Sequence, residues 1–191
     1  MRKAAVFLDR DGVINIDHGY VFRKEDFHFV HGIFDLVKTC NELGYLVVVV
    51  TNQSGIGRGY YTEKEFIDLT NWMHGVFKKN NSKIDAVYFS PYHPIHGVGK
   101  YKKNHNSRKP NPGMLTNAAR DLNIKLEASI MIGDKLSDIR AAEAAGIGLK
   151  ILFSSELNDE NITEKDVSCS VMSELVDIRK LMLNKKLKIC Q

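Results

Sequence analysis

Two aspartates flank an arginine in Asp9-Arg10-Asp11-Gly12, directly after the apolar run Ala4 to Leu8. Carboxylates spaced i and i+2 at a strand end can face one crevice if the chain turns there, and Gly12 permits that turn. Like charges held together are unfavourable unless a cation neutralises them or one keeps a proton. Magnesium meets the first condition, because it favours a few carboxylate oxygens together with water and a phosphate oxygen. Asp134, in Gly133-Asp134-Lys135, supplies a further carboxylate. With the cation present, one aspartate can attack phosphorus to form an aspartyl-phosphate. The other can protonate the leaving alkoxide and then deprotonate water. Phosphoryl transfer also needs donors around the equatorial oxygens. Thr51 offers a hydroxyl, the backbone N–H groups near Asn52 offer more, and Lys109 offers a positive charge.

The segments that must carry these residues alternate strand and helix. Ile33, Leu36, Val37, Cys40 and Leu43 repeat at helical spacing, and Gly44 follows where a helix would stop. Tyr45 to Val50 is a continuous apolar run, the pattern of a strand buried on both faces. Thr62 with Glu65 forms a capping box before Phe66, Leu69, Met73, Val76 and Phe77, and Ile84 to Phe89 reads as a third strand. An irregular stretch from Ser90 to Lys109 follows, long enough to suggest function. Asn111 as cap and Pro112 as first helical residue would open the next helix. Ser129 to Ile132, a helix from about Ser137 to Ala145, and Leu149 to Phe153 complete the alternation. Residues 154 to 166 read as a polar connection, Val167 to Val171 as a short edge strand, and Leu175, Ile178, Leu181 and Met182 as a last helix.

Such alternation implies right-handed βαβ units. The expected fold is α/β, a three-layer Rossmann-like parallel sheet with helices on both faces. Ligands of such sheets bind at the carboxyl ends of the strands. Asp9, Thr51, Ser90 and Asp134, which end four apolar strands, should therefore share one site.

The bulk numbers fit this plan. A chain of 191 residues, 43% hydrophobic and 26% charged, suits one domain over 1–191, with no insertion large enough for a separate cap. No apolar run approaches the ~20 residues of a membrane helix. The N-terminus shows no apolar signal core, so a cytoplasmic location is expected, and a monomer. A net charge of +4 suits an anionic substrate without demanding one. Cys40, Cys169 and Cys190 are odd in number and widely spaced, so no disulfide framework is expected, and Cys40 reads as a buried small hydrophobe.

Asp9-Arg10-Asp11-Gly12, Thr51-Asn52-Gln53-Ser54-Gly55, Arg108-Lys109-Pro110 and Gly133-Asp134-Lys135-x-x-Asp138, in that order and each at a strand end or loop of this plan, resemble the four motifs of the haloacid dehalogenase superfamily. Within it the chain is similar to the D-glycero-D-manno-heptose 1,7-bisphosphate phosphatases, relatives of histidinol phosphatase. The resemblance implies that Asp9 is the nucleophile and Asp11 the general acid/base. It implies magnesium held by the Asp9 carboxylate, the Asp11 backbone carbonyl and Asp134, with Thr51 and Lys109 on the transferring phosphoryl group. It places Asp17, His18, Gly19, Tyr20, Asn52, Gln53, Ser54, Arg108 and Lys135 against the rest of the substrate. Arg58 joins them as a candidate, in a Gly55-Ile56-Gly57-Arg58-Gly59 segment flexible enough to close over an anion.

One part of the family pattern is missing. Where relatives carry Cys-x-His and then Cys-x-Cys zinc ligands, this chain has Ser90, Tyr92, His105 and Ser107. Hydroxyls are poor zinc ligands. A site rebuilt from His93, His96 and His105 is the sharper reading, and a metal-free loop the plainer one; no zinc is expected. The implied reaction is removal of the 7-phosphate of a heptose 1,7-bisphosphate, toward nucleotide-activated heptose. Its rivals are histidinol-phosphate phosphatase or another small sugar-phosphate phosphatase, a 3′-phosphatase for nucleic-acid ends, and a binding protein that kept the fold without catalysis. The basic loop carries only Tyr92 and Tyr101 for base stacking, so no nucleic-acid partner is expected.

Overall fold

The computed structural model describes residues 2–154 and 169–189. Its six strands are β1 (Ala5–Leu8), β2 (Leu46–Asn52), β3 (Ala86–Ser90), β4 (Ile130–Gly133), β5 (Leu149–Phe153) and β6 (Ser170–Met172). They form one sheet in the order β3-β2-β1-β4-β5-β6, every pairing parallel. The helices are α1 (Ile33–Glu42), α2 (Ser54–Gly57), α3 (Glu63–Lys79), α4 (Gly113–Asp121), α5 (Leu136–Ala145) and α6 (Leu175–Ile189).

Alternation along the strands creates two cores. Val6, Leu8, Val47 and Val49 face α1, α3 and α6 through Leu36, Cys40, Met73, Phe77 and Ile178. Ala5, Phe7, Val48 and Val50 face α4 and α5 through Met114, Leu115, Ala118, Ala141 and Ala142. A strand whose side chains are buried on both sides must be apolar at every position, which accounts for the unbroken valine run of β2. The three-layer α/β expectation holds.

Several boundaries differ from the sequence reading. β2 runs on through Thr51 and Asn52, and β3 through Ser90, because these residues still pair across the sheet (Thr51 with Phe89, Asn52 with Ser90). The predicted capping box is present: the Glu65 N–H donates to Thr62 Oγ1 and the Thr62 N–H donates back to Glu65. α4 begins one residue later than predicted, with Pro112 at the cap, while the Asn111 side chain donates to the His105 carbonyl. Residues 54–57 are a helical turn with buried glycines, a correction to the flexible loop expected there. Of the predicted strand Val167 to Val171, residues 167–168 lie outside the described residues, as does nearly all of the 154–166 connection; Ser170 and Val171 are in β6. Among the described residues no helix is long and apolar enough to cross a membrane.

The sheet order reverses direction between β1 and β4, the point where doubly wound sheets open a crevice.

Candidate active site

Asp9 leaves β1 at that crevice. Leu8 is paired with both Val49 and Ile132, and the Asp9 N–H donates to the Ile132 carbonyl at 3.0 Å. The chain then turns sharply at Gly12, whose φ is +90° and whose N–H donates to the Asn15 carbonyl. A Cβ at Gly12 would be driven into the Asp134 carboxylate. Only glycine lets the first loop lie against the residue that follows β4.

Lys109 enters from the long loop. Asn52, at the end of β2, fixes its backbone twice: Asn52 Nδ2 donates to the Lys109 carbonyl and the Lys109 N–H donates to Asn52 Oδ1, both at 3.1 Å. The Lys109 ammonium is buried and reaches Val50 O at 2.8 Å, Asp9 Oδ2 at 3.0 Å and Asp138 Oδ1 at 2.7 Å. Its three hydrogens match three acceptors. Burial alone would lower its pKa, but Asp138 and Asp9 hold it above the ordinary lysine range.

The carboxylates of Asp9, Asp134 and Asp138 each place an oxygen within 4.8 Å of the others. Burial pushes Asp9 well above the usual carboxylate range; Lys109 opposes this, while Asp138, Asp134 and Asp11 add to it. Asp134 is raised by burial as well, against the pull of Lys135. Asp134 Oδ1 is buried with no hydrogen-bond partner among the described residues. An orphaned carboxylate oxygen beside two more carboxylates, with no nitrogen or sulfur ligand, fits a hard divalent cation. The Asp11 carboxylate is not in this group.

Instead Asp11 is clamped from both sides. Its Oδ1 accepts from Arg10 Nε (3.2 Å), Arg10 Nη2 (2.8 Å) and Asn15 Nδ2 (3.1 Å), and its Oδ2 from Arg10 Nη2 (3.0 Å) and Gln53 Nε2 (2.9 Å). The Arg10 guanidinium is itself buried, near the rings of Phe27 and Phe66, and donates to the Val21 carbonyl.

A cavity of about 570 Å³ opens over these groups, lined by Asp9, Asp11, Lys109 and Asp138 and also by Asp17, Gly19, Tyr20, Asn52, Gln53, Ser54, Arg108 and Lys135. Thr51, His18, Arg58 and Asp134 lie outside its lining; Thr51 is buried and its Oγ1 is bonded to Gln53 Nε2. Lys135 bridges to Asp17 at 3.0 Å, and Asp17 also accepts from the Gly19 N–H, so the Asp17–Tyr20 loop is tied to the start of α5. Arg58 stacks 5.6 Å from the Tyr20 ring centroid. Burial, and then the charge of Arg58, lower the pKa of Arg108.

Sequence reasoning did not single out Asp138 or Tyr61 as site residues. Asp138 stood in the quoted motif, and its i+4 spacing from Asp134 at a helix start was the available signal. Nothing in the sequence pointed to Tyr61. Asn52 and Gln53, expected against substrate, have their side-chain polar atoms engaged by the protein itself. Ser90, expected at the site, faces the long loop. Ser107 Oγ donates to Ser90 Oγ at 3.0 Å and lies 2.7 Å from His105 Nδ1, and the Tyr92 and His105 rings stack at 4.0 Å. The four positions that carry zinc ligands in the resembling family thus converge on one hydrogen-bonded, stacked cluster of side chains, with Arg108 Nη1 donating to the Tyr92 carbonyl beside it.

The HAD-hydrolase-like family model matches residues 106–164. The D-glycero-alpha-D-manno-heptose-1,7-bisphosphate 7-phosphatase of Burkholderia mallei is 55% identical over 153 residues, spanning 80% of this chain and 81% of its own. The D-glycero-beta-D-manno-heptose-1,7-bisphosphate 7-phosphatase of Vibrio cholerae is 46% identical over 188 residues, 97% of this chain and 100% of its own. Among solved structures, a HAD-like phosphatase from Mesorhizobium loti superposes with a TM-score of 0.83 at 33% identity, covering 94% of this chain and 85% of that one. The D,D-heptose 1,7-bisphosphate phosphatase of B. bronchiseptica, solved with magnesium and phosphate, gives a TM-score of 0.82 at 24% identity, covering 95% and 99%. This chain therefore belongs to the heptose-1,7-bisphosphate 7-phosphatase family of HAD-like hydrolases and is a phosphoric monoester hydrolase.

Proposed function

We propose that the chain hydrolyses the 7-phosphate of a D-glycero-D-manno-heptose 1,7-bisphosphate, a step toward nucleotide-activated heptose, through a phosphorylated Asp9 and with magnesium bound. The observation that carries this reading is the Lys109 ammonium held between Asp9 and Asp138, beside an orphaned Asp134 oxygen. Magnesium would be held by the Asp9 and Asp134 carboxylates and the Asp11 backbone carbonyl, and supplies the positive charge that lets these carboxylates stay ionised beside a phosphate.

The chain's own groups do the rest. An Asp9 carboxylate oxygen bonds to phosphorus as the ester P–O bond breaks, and Asp11 gives its proton to the departing alkoxide. Water then attacks phosphorus, Asp11 takes a proton from it, and the Asp9–phosphorus bond breaks to release phosphate. Lys109 stabilises charge on the phosphoryl oxygens, and Thr51, fixed by Gln53, orients the end of β2 toward them. The second phosphate of the substrate is read by Arg108 and Arg58. Arg108 supports this by lining the cavity, and the charge of Arg58, which adds to burial in lowering the Arg108 pKa, is one a dianion would offset.

The test is phosphate release from the heptose bisphosphate, histidinol phosphate and a 3′-phosphorylated oligonucleotide, each with magnesium and then with EDTA, by wild type and Asp9→Asn. The proposal expects magnesium-dependent release from the bisphosphate, abolished in Asp9→Asn. Equal release by both proteins would rule out the enzyme mechanism; preference for either other substrate would rule out the heptose assignment.

A further inference from the structure

The geometry points to Tyr61 as a positioning residue: its hydroxyl, acting through the Gln53 amide, holds Asp11 in line with the leaving-group oxygen. This rests on the acid/base role proposed for Asp11. Gln53 is buried at the start of α2, and each polar atom of its amide is engaged. Nε2 donates to Asp11 Oδ2 at 2.9 Å and to Thr51 Oγ1 at 2.8 Å. Oε1 accepts from the Tyr61 hydroxyl at 2.5 Å.

An amide has two orientations, and only one is useful here. Turned over, its oxygen would face the Asp11 carboxylate, acceptor against acceptor, and the Thr51–Asp11 link would be lost. The Tyr61 O–H favours the useful orientation because it offers the Gln53 oxygen a buried donor. Burial keeps that hydroxyl protonated, by raising its pKa above the ordinary tyrosine value. The ring cannot drift. Its face stacks on Phe22 at 5.0 Å with planes 7° apart, and its edge fills the space that a Cβ at Gly55 would need.

Of the two Asp11 oxygens, Oδ1 is held by Arg10 and Asn15, whereas Oδ2 is held by Arg10 Nη2 and Gln53 alone. Loss of the Gln53 donor would leave Oδ2 free to swing about the Arg10 contact. A proton donor displaced in this way fails where the leaving oxygen needs a proton, and matters little where it does not.

Leaving-group chemistry therefore separates positioning from structural damage. The experiment compares Tyr61→Phe with wild type on the heptose bisphosphate, an alkyl ester, and on p-nitrophenyl phosphate, whose leaving group departs unprotonated. The expected result is a fall of about tenfold in kcat for the alkyl ester, with KM changed less than about twofold and p-nitrophenyl phosphate nearly unaffected. On the alkyl ester, the double variant should fall no further than Gln53→Met, because the Tyr61 hydroxyl acts through Gln53. Equal losses on both substrates, no loss on either, or additive losses in the double variant would each overturn the inference. Asp11→Asn, measured alongside, distinguishes the two levels. If it fails to discriminate between the esters, the acid/base reading of Asp11 falls and this inference with it; if it discriminates and Tyr61→Phe does not, only this inference falls.

Discussion

Replacing Lys109 by Met removes the one ammonium that separates two buried carboxylates. The side chains of Lys109 and Asp138 are each 1% exposed and that of Asp9 is 9% exposed, so water cannot take over the neutralisation. Breaking a buried ion pair from one side costs about 3–5 kcal/mol, and here two carboxylates and the Val50 carbonyl lose a donor together. Against a native stability of roughly 5–15 kcal/mol, that is a large fraction. Urea unfolding without magnesium should show the unfolding free energy falling by this amount, as a lower midpoint at unchanged slope. Adding Asp138→Asn removes one of the stranded charges and should return at least about 1 kcal/mol, a coupling expected of residues in one network. Activity should not return. Loss of the positive charge beside the phosphoryl oxygens leaves kcat down by about 100-fold or more in both variants. A Lys109→Met protein within about 1 kcal/mol of wild type, or a double variant less stable than the single, would refute this account of the triad.

Further outcomes follow from the same structure. Magnesium should raise the thermal unfolding midpoint of wild type, by about 2.7 kcal/mol of stabilisation at a hundredfold excess over Kd, and Asp134→Asn should abolish the rise in a fluorimetric melt. Gly12→Ala should destabilise by at least about 1–2 kcal/mol from the positive φ alone, and its Cβ should reduce that magnesium shift by displacing Asp134. Cys40 is buried and its thiol is pushed up to about 12, so it stays protonated at pH 8 and at pH 10; a thiol reagent should label it only as the protein unfolds, whereas fast labelling of the native state contradicts the packing. Ser107→Ala should cost about 0.5–1.5 kcal/mol and raise KM for the bisphosphate through Arg108, while the wild-type protein should purify with substoichiometric zinc by elemental analysis.

The strand–helix alternation was legible because each β-strand of a doubly covered parallel sheet must be apolar throughout, and the polar residues that end such strands stand out. Asp9, Thr51, Ser90 and Asp134 stood out on that ground, and of these Ser90 turns to Ser107 of the long loop instead. What could not be read were contacts decided by packing between distant segments. Asp138 meets Lys109 only because the first turn of α5 aims it back under the long loop. The resemblance implied Gln53 and Asn52 as substrate contacts, but packing turns their amides toward Asp11, Thr51 and the Lys109 backbone. The glycines at 55 and 57 suggested mobility, whereas Gly55 is small because the Tyr61 ring lies against it. The start of α4 slipped by one residue, since Asn111 found a partner in the loop instead of capping the helix.

The central claim is that Asp9 becomes phosphorylated during turnover. Acid quench of the enzyme in steady state, followed by borohydride reduction and peptide mass spectrometry, converts an aspartyl-phosphate into homoserine at the residue that carried it. Homoserine at position 9, formed only with substrate and magnesium present, is the predicted result. Turnover that continues at full rate while reduction marks no residue, or marks a carboxylate other than Asp9, would contradict it.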